Sequence, residues 1–332
     1  MPAVSRRSFL AAGVAAVAAP GLSAQPAPAP RFRLGLVTYN VAAGWDLPTT
    51  LRVCREVGIA AVECRTTHRH GVEPTLSADA RRGVRRQFED SGVVFWGCGS
   101  VCEFHAADPA VVRRNVEDGK RFIDLVKDLG GRGVKVRPNG VPAGADPART
   151  FEQIGRSLAE CGRAAADAGV EIWVEVHGAV TAVPRNMKAI MDACGHPAVG
   201  VTWNSNGTDL DDRKDLAASF ELLRPFIKSC HINDLENDGR GTYPYRKLFR
   251  RLATAGYDRY TLCEVGRTYD VAAGTEFLKG YKKLWEELVR GPLAGGEHLD
   301  LELPLEAPEE ALDRGGVPAR PDPTHATRDP LR

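Results

Sequence analysis

Along this chain, short apolar runs rich in β-branched residues alternate with longer segments whose apolar positions recur at helical spacing. The strand-like runs cover residues 33–39, 59–64, 93–97, 133–137, 171–176, 198–204, 227–231 and 260–264. Helical segments follow them at 47–57, 77–91, 109–129, 147–168, 184–194, 215–224, 244–255 and 271–290. Pro48 opens the first helix, Ser77 caps the second, and Pro225 stops the sixth. Inward stripes are legible within several of them. Val112, Val116, Ile123 and Val126 form one in the third helix, and Tyr245, Leu248, Phe249 and Leu252 another in the seventh. Leu278, Tyr281, Trp285 and Leu288 do the same in the eighth. Eight strand–helix pairs over residues 31–290 predict an α/β fold of the (β/α)8 TIM barrel type. The competing architecture is a doubly wound open sheet. It is disfavoured because the first strand ends TYNVAAGWD, without a Gly-rich phosphate fingerprint.

The two ends break the pattern. Residues 1–30 hold Arg6-Arg7, then Ser8-Phe9-Leu10, an Ala-rich apolar stretch and the linker QPAPAP. This arrangement resembles a twin-arginine export signal, with cleavage expected after Ala24. The expected destination is the periplasm, with membrane anchoring if the signal stays uncleaved. Residues 291–332 are rich in Pro and acidic residues and read as a C-terminal tail without a core of its own. A hydrophobic fraction of 43% is enough for one large core between these ends. The net charge of +1 argues against nucleic acid as a partner. Eight cysteines in a chain this long do not make a disulfide scaffold. Cys64, Cys230 and Cys263 read as small buried residues of strands, while Cys98 and Cys102 are left open as bridged or free.

The chemistry concentrates where strands end. In EIWVEVHG, residues two apart share a face, so Trp173, Glu175 and His177 point the same way. Three later runs have the same design: AVGVTWN ends in Asn204, IKSCH in His231 and YTLCE in Glu264. The consecutive separations of 29, 27 and 33 residues each match one βαβ unit of about 30. Four oxygen or nitrogen ligands therefore fall at equivalent ends of consecutive parallel strands, where barrel active sites lie. Glu175, Asn204, His231 and Glu264 are the donor set for one divalent cation. Their mostly hard atoms suit Mn²⁺, Mg²⁺ or Co²⁺ and also admit Zn²⁺. The competing reading is a set of buried polar residues paired with one another, such as Glu264 with Arg267.

The ordered motifs VEVHG, VTWNSN, CHIND and LCEVG, with ECR on the second strand, resemble the xylose isomerase-like barrel superfamily of sugar phosphate isomerases and epimerases. The resemblance implies Glu, Asp, His and Glu as metal ligands at the ends of strands five to eight. Glu175, His231 and Glu264 match; Asn204 stands where an Asp is usual, which removes one negative charge. It also implies that Glu175 and Glu264 exchange a substrate proton through an enediolate. His177, on the same face as Glu175, is a third catalytic candidate, as a base or as a donor to a substrate hydroxyl. The implied partner is a small carbohydrate. The export signal and the lack of a phosphate cradle favour a non-phosphorylated sugar or sugar derivative. Candidate substrate contacts are Glu63, His105, Lys135, Trp203, Asp234 and Arg240, with His68, His70, Arg137, Trp45 and Trp96 as further possibilities. Alternatives are a lyase or dehydratase acting on an oxidised sugar, a non-catalytic sugar-binding barrel, and an endonuclease IV-like phosphodiesterase. The last lacks the expected Asp and His pairs in NSNG and DLENDGRG. The chain's pattern leaves a homo-oligomer open.

Overall fold

The computed structural model describes residues 30–291. The expected export signal and C-terminal tail lie outside the described residues. Eight strands alternate with eight helices: β1 (Arg33–Val37), α1 (Leu47–Val57), β2 (Ala61–Arg65), α2 (Ala78–Ser91), β3 (Val94–Gly99), α3 (Pro109–Leu129), β4 (Gly133–Val136), α4 (Pro147–Ala168), β5 (Glu171–Glu175), α5 (Pro184–Cys194), β6 (Val199–Asn204), α6 (Ala217–Leu223), β7 (Ile227–Ile232), α7 (Tyr245–Thr254), β8 (Tyr260–Cys263) and α8 (Val271–Arg290). All neighbouring strands pair in parallel, and β8 closes onto β1. The fold is a (β/α)8 TIM barrel. Among the described residues no helix is long and apolar enough to cross a membrane.

Local chemistry sets the element ends. Asp46, Ser77, Asp108, Asp146 and Asp270 each accept a backbone N–H at a helix start. Such a cap is worth about 1 kcal/mol. Gly169 ends the longest helix in the left-handed region at φ 73°, which favours glycine. The sixth helix is shorter than its pattern suggests, because Pro225 shapes a 3-10 turn, Arg224–Phe226, that leads straight into β7. The third strand runs two residues further than expected, to Gly99, after a register shift beside Val62 and Glu63.

Two apolar cores result. The larger lies between the outer faces of the strands and the helix ring. The smaller plugs the barrel lumen with Val37, Ala61, Trp96, Trp173, Tyr260 and Leu262. Trp96 and Trp173 stack there at a centroid distance of 4.8 Å. Glycines on the neighbouring strands make room for them: a Cβ at Gly133 would lie 2.4 Å from the Trp173 ring. Below the plug, Glu171 accepts from Trp173 Nε1 and pairs with Arg259 and Arg132. At the other side of the plug, the carboxyl ends of the strands bring a second set of polar side chains together.

Candidate active site

Six strand-end side chains converge above the plug: Glu63 from β2, Lys135 from β4, Glu175 from β5, Asn204 from β6, His231 from β7 and Glu264 just after β8. All but Glu264 are buried. The Lys135 Nζ donates to Glu175 Oε2 at 2.6 Å, and Asn204 Nδ2 donates to the other oxygen, Oε1, at 3.3 Å. His231 sits between two carboxylates. Its Nδ1 is 3.1 Å from Glu264 Oε2 and its Nε2 is 3.2 Å from Glu63 Oε2. Ligand atoms of Glu175, His231 and Glu264 all lie within 4.8 Å of one another.

Charge explains these contacts. Burial works against a charged imidazole at His231, but Glu264 and Glu63 outweigh it and push its pKa up to about 10. Burial likewise works against ionised Glu175, yet Lys135, His177 and His231 together hold it well below the usual carboxylate range. The donor set fits a divalent cation. Asn204 Oδ1 is buried and has no hydrogen-bond partner, so its oxygen is uncommitted as a ligand. Glu63 grips the Nε2 side of His231, leaving Nδ1 on the side of Glu264, as in metal sites where an outer carboxylate orients a histidine ligand. A divalent ion and Lys135 would together balance the charges of Glu63, Glu175 and Glu264.

The remaining sequence candidates divide. His177 lies one inward position beyond Glu175, with a buried, unpartnered Nδ1. His105 lies in the loop after β3, its Nδ1 4.0 Å from Glu103 Oε2, apart from the carboxylate cluster. Arg137 bonds to Glu103 at 3.0 Å rather than reaching inward. Asp234 caps the turn after β7 and accepts from Arg267 at 3.1 Å, so Arg267 serves Asp234 and not Glu264. Arg240 is exposed and paired with Glu236. Trp203 is a correction. It does not stack on a ligand, because its position on β6 points outward between Val201 and Asn204. It is fully buried against Phe220, and its Nε1 donates to Tyr243 Oη at 3.0 Å. Trp45 is likewise buried, donating to the Tyr269 carbonyl, and Trp96 belongs to the lumen plug. All eight cysteines are free and buried, which resolves Cys98 and Cys102 as unbridged.

Two features escaped the sequence reading. Gly99 is a necessary gap: a Cβ there would sit 2.9 Å from Glu63 Oε1. Arg65 follows Glu63 on the inward parity of β2, and its guanidinium carbon lies 5.8 Å from the centre of the Tyr39 ring. The alternation Glu63-x-Arg65 in ECR was the available signal.

A family profile described as a xylose isomerase-like TIM barrel matches residues 51–281. No curated protein matches the chain. Among solved structures, a D-psicose 3-epimerase from Clostridium cellulolyticum, solved with D-tagatose, is similar at TM-score 0.66 and 12% identity, covering 78% of this chain and 99% of that one. The apo 3-keto-D-glucoside 4-epimerase from E. coli is similar at TM-score 0.62 and 15% identity, covering 76% of this chain and 99% of its own. The IolI protein with a bound zinc atom is similar at TM-score 0.64 and 17% identity, covering 78% and 98%. At these identities the structural likeness speaks for the fold, and the profile match, spanning more than two thirds of the sequence, speaks for the lineage. The chain belongs to the xylose isomerase-like TIM barrel family.

Proposed function

We propose that this protein is a divalent-metal-dependent epimerase or isomerase of a non-phosphorylated sugar or sugar derivative. The observation that carries the reading is the Glu175–His231–Glu264 triad, with the unpartnered Asn204 Oδ1 beside it. Glu175, Asn204, His231 and Glu264 would hold the ion. When bound, a divalent cation supplies Lewis acidity that polarises a substrate carbonyl and acidifies the neighbouring C–H bond.

The chain's own groups then divide the labour. Glu264 is the more accessible carboxylate of the cluster and lies 3.1 Å from His231 Nδ1, which suits it to take the proton from the carbon beside the carbonyl. The C–H electron pair moves into a carbon–carbon double bond, and the carbonyl oxygen takes the charge of an enediolate. Glu175 is fixed by Lys135 and Asn204 across the site, where it relays a proton from the Lys135 ammonium to the opposite face of the enediolate and so inverts the centre; the proton on Glu264 then passes to solvent and Lys135 is reprotonated. His177, next along the inner face from Glu175, is placed to bond a substrate hydroxyl. The lumen plug beneath excludes water from below. The named sugar epimerases of similar fold support the same class of chemistry.

The test joins metal content to turnover. Protein purified with excess Mn²⁺ and then dialysed should retain about one ion per chain. His231→Ala should lose it while keeping the far-ultraviolet circular dichroism of the parent. Metal-loaded protein that leaves every ketose in a stereochemical panel unchanged would contradict the proposal.

A further inference from the structure

Arg65 stands at the mouth of the site with its charge unspent. A Cβ at Gly99 would lie 3.5 Å from the Arg65 Cα, 2.9 Å from Glu63 Oε1 and 3.5 Å from Lys135 Cε, so Arg65 adjoins the polar cluster. Its backbone is clamped. The N–H donates to Thr38 Oγ1 at 2.9 Å, and the carbonyl accepts from His70 Nε2 at 2.9 Å. His70 Nδ1 accepts from the Val72 N–H at 3.0 Å, which fixes the tautomer that makes Nε2 the donor. From this anchor the guanidinium lies against Tyr39, whose ring packs on the lumen plug, and gives one hydrogen bond to the Thr66 carbonyl.

Among the described residues no carboxylate pairs with Arg65. The nearest acid in its loop, Glu73, is committed to Thr66 Oγ1 and the Thr67 N–H. Arg137, by contrast, has Glu103, and Arg267 has Asp234. A guanidinium carries five N–H donors in a rigid fork suited to a carboxylate. One of those donors is used here within the protein. With the proposed divalent ion bound, that ion and Lys135 would balance the three carboxylates of the cluster and leave the Arg65 charge for the ligand.

We propose that Arg65 binds a carboxylate of the substrate, and that the substrate class is therefore a sugar acid rather than a neutral sugar. This inference rests on the proposed epimerase or isomerase reading. A single planar fork matches the two oxygens of a monoanionic carboxylate.

The test uses ligands that differ only at carbon 6: D-fructose, D-fructuronate and D-fructose 6-phosphate, together with the matching tagatose series. Binding to metal-loaded protein is measured by calorimetry, with deuterium exchange followed in parallel. The uronate should bind about 10- to 100-fold tighter than its neutral counterpart, the worth of a charge-assisted pair. Arg65→Met should erase that preference, and Arg65→Lys should keep part of it, with metal content unchanged in both. A uronate no tighter than the neutral ketose in either series, a tighter 6-phosphate, or a preference that survives Arg65→Met would overturn the inference. Exchange on neutral ketoses without any uronate preference would sink this inference and leave the epimerase reading standing. An Arg65-dependent uronate preference without exchange on any sugar would do the reverse.

Discussion

At the scale of single residues, Asn204 decides how the site behaves with and without an ion. Its Nδ2 donates to Glu175 Oε1 at 3.3 Å, so without an ion an aspartate there would set two carboxylates against each other. With a cation between them the added charge becomes favourable. Asn204→Asp should therefore tighten divalent-ion binding by about tenfold or more. The same change should lower the melting temperature of metal-free protein. Calorimetric titration and a melting curve test the pair, and a variant with unchanged ion affinity and an unchanged metal-free melting temperature would contradict it. Glu171 makes a second prediction, remote from the site. Burial works against its charge, but hydrogen bonds from Arg259 and Trp173 prevail and hold its pKa at about 2. A lowered carboxylate pKa stabilises the fold above its unfolded value of about 4.5 and loses that contribution as pH falls toward 2. Urea midpoints of the wild type should drop through this window, while those of Glu171→Gln stay flatter; parallel curves would contradict the assignment.

At the scale of elements, close strand approach is what builds both floor and site. A Cβ at Gly97 would lie 2.0 Å from the Gly133 carbonyl oxygen and 3.1 Å from the Trp173 ring. Gly97→Ala should cost about 1–3 kcal/mol or more by overpacking, read as a lower urea midpoint. An unchanged midpoint would mean that β3 and β4 separate more easily than the packing implies. The elements themselves were legible in the sequence, since apolar period and capping chemistry are local properties. The strand-end donors were legible for the same reason: two-residue alternation places Glu175, His231 and Glu264 on inner faces. Trp203 shows where alternation was not applied. Counting from Asn204 already put it on the outer face, against Phe220. The Lys135–Glu175 pair and the grip of Glu63 on His231 depend on register between strands, including the shift beside Glu63. Local pattern does not encode that register. Arg65 was passed over because its meaning comes from a missing partner, and pairing is a property of the assembled barrel.

At the scale of the whole molecule, the barrel separates stability from chemistry. The aromatic plug and the Glu171 ion pairs secure one end, and the carboxylate–histidine–lysine cluster occupies the other. The most direct measurement is deuterium wash-in. Metal-loaded protein is incubated with its ketose in deuterated water, and the carbon next to the carbonyl is followed by proton NMR. The wild type should incorporate deuterium there as product forms. Glu264→Gln keeps an oxygen donor but removes the base, so it should retain its metal and exchange about 10²- to 10⁴-fold more slowly. Turnover without deuterium at that carbon, or undiminished exchange in Glu264→Gln, would contradict proton transfer by Glu264.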